Sequence, residues 1–302
     1  MTFQDSIAQL TNGDGSISAP LLAHLSGLEA DELDAFREAW SAAPTEVRRK
    51  TVGMLVEIAE DNVELDFSAV LRHALEDEEE DIRAKAVGGL WECEERTLII
   101  PLMDLLANDP SETVRAAAAQ GLGRFAMLAE VGNLLERDTA RVADALLSTI
   151  DNDEETLDVR RRAIEAVSPM NVPRIAEIVE EAYESDDDDV RTSALYAMGR
   201  TCDPKWLPIL LKELDNADPQ FRYEALGALG ELGEEEAVVY IIAAITDSDS
   251  EVQAAAVQAL GSIGGAMAKR ALGQAAKHPD GNIAELAQAA LEGIATDEDP
   301  LR

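Results

Sequence analysis

The stretch Asp186–Gly199, DDDDVRTSALYAMG, decides the fold of this chain. A run of acids leads into an apolar anchor, Val190. An arginine and an alanine-rich tract follow. Small or apolar residues stand four, seven and eight positions past the anchor, at Ala194, Ala197 and Met198. That is the spacing of one face of a helix. The acids ahead of it suit a solvated loop that places negative charge at a helix start.

The same phrase recurs along the chain. It reads EVRRKTVGML from Glu46, DIRAKAVGGL from Asp81, TVRAAAAQGL from Thr113 and DVRRRAIEAV from Asp158. It returns as FRYEALGALG from Phe221, EVQAAAVQAL from Glu251 and NIAELAQAAL from Asn282. The anchors Val47, Ile82, Val114, Val159, Val190, Phe221, Val252 and Ile283 are separated by 35, 32, 45, 31, 31, 31 and 31 residues. A unit of that length holds two helices of about 12 residues and two short turns. The anchor opens the second helix. A Leu/Ile run, such as WLPILLKEL (206–214) or AVVYIIAAI (237–245), forms the first. Glycines such as Gly199 and Gly230 are expected to stop the second helix in a left-handed turn.

One helix pair cannot bury its apolar face alone, but stacked pairs share a continuous core. The expected fold is therefore all-α: an α-α superhelix of about eight helix pairs. Residues 1–43 form an N-terminal helical cap with the first helix of repeat one, and 44–293 the repeat array. The extra residues near 126–137 make a longer unit, as an extended helix or an added turn, and 294–302 are a flexible tail.

Composition agrees. Apolar residues make up 46% of the chain and aromatics only 4%, which favours Ala- and Leu-rich helices over strands. The balance of 61 acids against 25 bases, a net of −36, repels a phosphate backbone. Two distant cysteines, Cys93 and Cys202, build neither a disulfide framework nor a zinc cluster. No signal peptide and no membrane-length apolar run are legible, so a cytoplasmic protein without a membrane partner is expected.

The phrases DPSETVRAAAAQGLG (109–123) and DDDDVRTSALYAMG (186–199), with loop acids, Val-Arg, Ala and a closing Leu-Gly or its equivalent, resemble HEAT repeats. Among these they resemble the short phycobilisome-lyase-like type. The resemblance covers roughly residues 44–293. It implies that the anchor helices line a concave side and that the arginine after each anchor joins a stabilising ladder.

The candidate chemical motifs are weak. NGDGSIS (12–18) resembles half a calcium loop, but Leu10 and Leu21 stand where the first and last oxygen ligands belong. A turn between capping helices is expected. Arg48, Arg83, Arg115, Arg160, Arg191 and Arg222 repeat in register with the fold, so they are expected to bond loop acids such as Asp109 or Asp186. GSIGGAMAKR (261–270) lacks the Gly-Lys-Ser/Thr of a phosphate loop and reads as a turn. His24, His73 and His278 are scattered, and none precedes a glutamate. Trp40 and Trp206 are expected in the core. No catalytic set, metal site or cofactor is expected.

One constellation remains. Positions two, three, six, nine and ten past the anchors hold seven cations against five acids over the first seven units, a local net of +2. The binding candidates there are Arg49, Lys85, Trp91, Arg124, Arg161, Tyr196, Arg200 and Tyr223. Arg, Tyr and Trp dominate the energetics of interfaces. The expected function is a non-catalytic protein-binding scaffold. The cations would pair with a partner's carboxylates, and the rings would be its apolar anchors. Two alternatives are a bilin-lyase-like chromophore chaperone, implied by the repeat subtype, and an anion or nucleic-acid groove, disfavoured by charge.

Overall fold

The computed structural model describes residues 2–12, 17–62 and 64–298. The described residues form helices joined by turns and loops, with no strand among them. The chain divides into two compact units, Met1–Ala166 and Val167–Arg302.

The first unit opens with α1 (Phe3–Asn12), α2 (Ala19–Leu22) and α3 (Ala30–Ala42), which pack on one another and on α4 (Thr45–Asp61). The glycine-rich centre of NGDGSIS, residues 13–16, lies outside the described residues. Helix pairs follow, α5 (Ser68–Ala74) with α6 (Glu80–Gly89) and α7 (Ile99–Asn108) with α8 (Glu112–Glu130), and then α9 (Glu136–Ile150) and α10 (Leu157–Val167). The anchor helices α4, α6 and α8 pack in succession, while α3 meets α5 and α7 meets α9. The long interval between Val114 and Val159 is taken up by helix: α8 has 19 residues and α9 has 15.

The second unit pairs α11 (Ile175–Tyr183) with α12 (Asp188–Arg200), and α13 (Leu207–Glu213) with α14 (Pro219–Leu232). It continues with α15 (Val238–Ala244) against α16 (Ser250–Ile263), and α17 (Gly265–Ala275) against α18 (Gly281–Glu298). Here too the anchor helices α12, α14, α16 and α18 pack in order. The GSIGGAMAKR stretch supplies a turn at Gly264 and Gly265, both at positive φ. Of the expected tail, residues 299–302 lie outside the described residues.

All eight anchors are buried, and so are Trp40 and Trp206. Each buried anchor contributes roughly 1.5–3 kcal/mol by leaving water. Ala194, Ala197 and Met198 are fully buried, as their helical spacing requires.

The expected role of two glycines is corrected. Gly199 and Gly230 lie within α12 and α14 and do not terminate them. They are small because the next helix is close. A Cβ on Gly199 would meet the Ala228 Cα at 2.6 Å, and one on Gly230 the Ala259 Cα at 3.0 Å. The left-handed cap of α14 is instead Gly233, at φ 73°.

Arginines fasten successive repeats. Arg83 donates Nε and Nη2 to the two Asp109 carboxylate oxygens at 2.7 and 2.8 Å, and Nη1 to the Asp77 carbonyl at 2.8 Å. Arg222 repeats this with Asp247 at 2.8 and 2.7 Å and the Asn216 carbonyl at 2.9 Å. Arg115 grips Glu155 with two bonds of 2.8 Å and bonds the Asp109 carbonyl at 2.8 Å. Arg48 pairs with Asp77 at 3.1 Å. Thus Asp77 and Asp109 each receive the preceding arginine on the carboxylate and their own repeat's arginine on the carbonyl. Paired, bidentate geometry of this kind is the strong form of ion pair. Burial pushes the Asp109 carboxyl up, but bonds from Arg83 and the Ser111 backbone outweigh it and hold it below the usual range.

Two rungs pair with an acid of their own repeat and, among the described residues, with none of the next. Arg191 meets Asp188 at 3.1 Å rather than Asp186, and its guanidinium stands 4.6 Å from the Phe221 ring centre. Position 216 is Asn, so no loop carboxylate awaits Arg191 there. Arg160 bonds the Ile150 carbonyl at 3.0 Å and lies 3.7 Å from Asp153.

Candidate functional site

In the first unit Arg49 sits on the first turns of α4. It meets Glu46 at 2.6 Å, Glu79 at 3.7 Å and Asp81 on the following repeat. The Asp81 hydrogen bond raises the Arg49 pKa further above its ordinary value. Arg124 on α8 pairs with Glu94, and Arg161 on α10 with Asp158 at 2.5 Å and Glu165 at 3.6 Å. Lys85 on α6 is exposed and has no carboxylate partner among the described residues. Trp91 lies in the turn after α6, not on the helix, and is 56% exposed.

In the second unit Arg200 meets Glu231 at 3.1 Å, and its guanidinium lies 5.9 Å from the Tyr196 ring centre. Tyr196 and Tyr223 are each 41% exposed. All three residues sit on adjacent anchor helices, α12 and α14.

Most candidate cations are therefore matched within the chain. Counting charges at five positions per repeat omitted Glu46, Glu79, Asp81, Glu94 and Asp158, which lie outside those positions and reach in. Surface pairs of this kind contribute about 0–1 kcal/mol each. They nevertheless remove the excess positive charge from those faces.

The acidic run 186–189 is occupied by helix chemistry. The Asp187 carboxylate accepts the Val190 N–H at 3.0 Å, and Asp188 pairs with Arg191. Among the described residues no group of three or more His, Cys, Asp or Glu could hold a metal ion. None of their helices is long and apolar enough to cross a membrane.

Sequence reasoning missed one cluster. At the start of α9, Asp138 is buried and receives Arg96 Nε at 2.7 Å. Arg141 approaches it at 3.4 Å and Arg137 at 3.7 Å. The Arg96 bond holds the Asp138 carboxyl below the usual carboxylate range. These residues, with Thr97, Ile99 and Ile100, line a shallow cavity of about 260 Å³. The available signal was the break in repeat length, since the cluster's α9 residues fall within the long interval.

Similar solved structures share the fold at low identity. The CpcE–CpcF complex of phycocyanin lyase from Nostoc sp. PCC7120 matches with a TM-score of 0.59 and 19% identity, over 93% of this chain and 96% of that one. Yeast importin-β (Kap95p) matches with a TM-score of 0.55 and 13% identity, over 97% of this chain and 46% of that one. No curated protein matches the sequence. The family model for HEAT repeats matches residues 33–123, 68–156, 101–199 and 207–292. With helix pairs stacked in register on buried anchors within each unit, the chain belongs to the HEAT-repeat family.

Proposed function

We propose that this protein is a non-catalytic scaffold that binds a protein partner on its anchor-helix faces. The observation that carries this reading is exposed aromatic surface. The chain spends few residues on aromatic rings, yet Trp91, Tyr196 and Tyr223 stand 56%, 41% and 41% exposed on or beside anchor helices. Large rings leave water readily and are frequent interface hot spots. Trp91 anchors a partner on the first unit, and Tyr196 with Tyr223 on the second. Because Arg49, Arg124, Arg161 and Arg200 already hold carboxylates, they serve as exchangeable pairs that set register. Lys85 is available to a partner's acid. A solved complex of yeast Kap95p with RanGDP, matching with a TM-score of 0.50 and 14% identity over 96% of this chain, has the same repeat fold with a protein bound.

The test is affinity capture by the intact protein and by a Trp91→Ser, Tyr196→Ser, Tyr223→Ser variant with unchanged helical content. The reading requires specific partners retained by the first and lost by the second. Equal capture by both would overturn it.

A second reading, a bilin-lyase-like chromophore chaperone, is supported by the likeness to the CpcE–CpcF complex over nearly the whole chain. Its sign would be a coloured tetrapyrrole co-purifying after co-expression with a bilin source.

A further inference from the structure

The charge pattern of this molecule inverts at the start of α9. Acids outnumber bases 61 to 25, and typical arginines here face one or more carboxylates. At the start of α9 a single carboxylate, Asp138, faces three arginines. Arg96 directs both Nε and Nη2 to the same oxygen, Oδ2. Arg141 reaches Oδ1 only at 3.4 Å, and Arg137 stands off at 3.7 Å, beyond hydrogen-bonding distance. No other carboxylate among the described residues pairs with any of the three. A guanidinium carries five donors, so most of this cluster's donors are unspent. Within the cluster three cations share one anion, while Glu95 and Glu136 flank it in the chain.

These donors converge on a cavity. Arg96 enters from the 3-10 turn before α7, and Arg137 and Arg141 from the first two turns of α9. Their side chains are 41%, 70% and 54% exposed, so an incoming ligand reaches them from solvent. Ile99 is buried beneath, while Ile100 is 53% exposed beside them. At about 260 Å³ the cavity lies at or below the size of small-molecule pockets, which suits one compact charged group.

We propose that Arg96, Arg137 and Arg141 form a binding site for a doubly charged oxyanion of the phosphate class, with Asp138 setting their positions. A dianion matches the two positive charges that Asp138 leaves over among the three arginines. Its several acceptor oxygens meet guanidinium forks that a single carboxylate leaves unfilled. This site lies where α7 meets α9, its lining includes none of the three rings, and it does not depend on the scaffold reading.

Titration calorimetry on the intact protein tests it, at low ionic strength and about pH 8, where phosphate is doubly charged. Inorganic phosphate should bind saturably. The double variant Arg137→Gln, Arg141→Gln should weaken binding at least tenfold with little change in melting temperature, because Arg96 keeps the shorter bond to Asp138. O-phosphoserine in a parallel titration separates the sources. Tighter binding than phosphate identifies an esterified phosphate, equal or weaker binding a free one, and either result supports the site. No saturable phosphate binding, an unchanged affinity in the double variant, or an equal response to chloride at matched ionic strength would each overturn it.

Discussion

A Cβ added to Gly199 on α12 would stand 2.6 Å from the Ala228 Cα on α14, inside any permitted carbon contact. The clash is with backbone, so no side chain can rotate away. Gly227, one position before Ala228, has nothing within 4 Å of its would-be Cβ. Two glycines on the same pair of helices are thus held by opposite needs. Gly199→Ala should destabilise by about 1–3 kcal/mol through overpacking. Gly227→Ala should stabilise by up to about 1 kcal/mol through helix propensity. Chemical denaturation of both variants checks this; the same sign for both would contradict the packing account.

Arg83 and Asp109 provide the second prediction. Their side chains are 10% and 4% exposed. Arg83→Met leaves a carboxylate buried without its partner and should cost about 3–5 kcal/mol. Adding Asp109→Leu should recover most of that loss, because the cost lies in the stranded charge. A double-mutant cycle of melting temperatures reads the coupling.

Much of the fold could be read from the sequence because the repeat is written twice, once in spacing and once in residue type. The anchors and the small positions of α12 are buried as the 31-residue register requires. The ladder was legible for Arg83 with Asp109 because both recur in register. The role of Gly199 was not, since a helix-stopping glycine and a close-contact glycine look alike in one dimension. The matched charges around Arg49 and Arg124 were hidden because Asp81 and Glu94 come from the following repeat or a turn. The Arg96–Asp138 cluster joins residues 42 apart across the irregular unit, where register gives no guidance.

Cys202 follows α12 at φ 49°, a left-handed conformation unusual for a residue with a side chain. Thirty-one residues on, Gly233 holds the same place at φ 73°, and Gly264 follows at φ 68°. Left-handed backbone costs an L-residue roughly 1–2 kcal/mol, part of which glycine gives back through its freedom when unfolded. Cys202→Gly should therefore raise stability by about 0.5–1 kcal/mol, seen as a higher denaturation midpoint at constant slope.

Stability should fall with pH in two windows. His73 packs against Phe36 and Trp40, with ring centres 6.0 and 6.4 Å away. Burial, and then the Arg37 charge, hold it below its ordinary pKa of 6.5. The unfolded chain takes up that proton more readily, so stability is present above about 6.5 and is lost as pH falls toward the folded value. Asp109, Glu155 and Asp247 are held below ordinary values of 3.8, 4.5 and 3.8. Their contribution is present above those values and disappears as pH falls through the folded ones. Melting curves between about pH 5 and 7 should lose their slope in His73→Gln, while the steeper acid loss remains.

The loop aspartates also bear on how such a chain changes length. Asp247 takes Arg222 on its carboxylate and the Gln253 side-chain amide on its carbonyl, at 2.6 Å. Gln253 stands where earlier repeats carry arginine, and the next loop offers His278 in place of an acid. The units of Asp77 with Arg83 and of Asp109 with Arg115 each carry one guanidinium and one carboxylate, so duplicating or deleting either gains or loses both together. Recombination at those two units can thus lengthen or shorten the protein without stranding an ion at the seam.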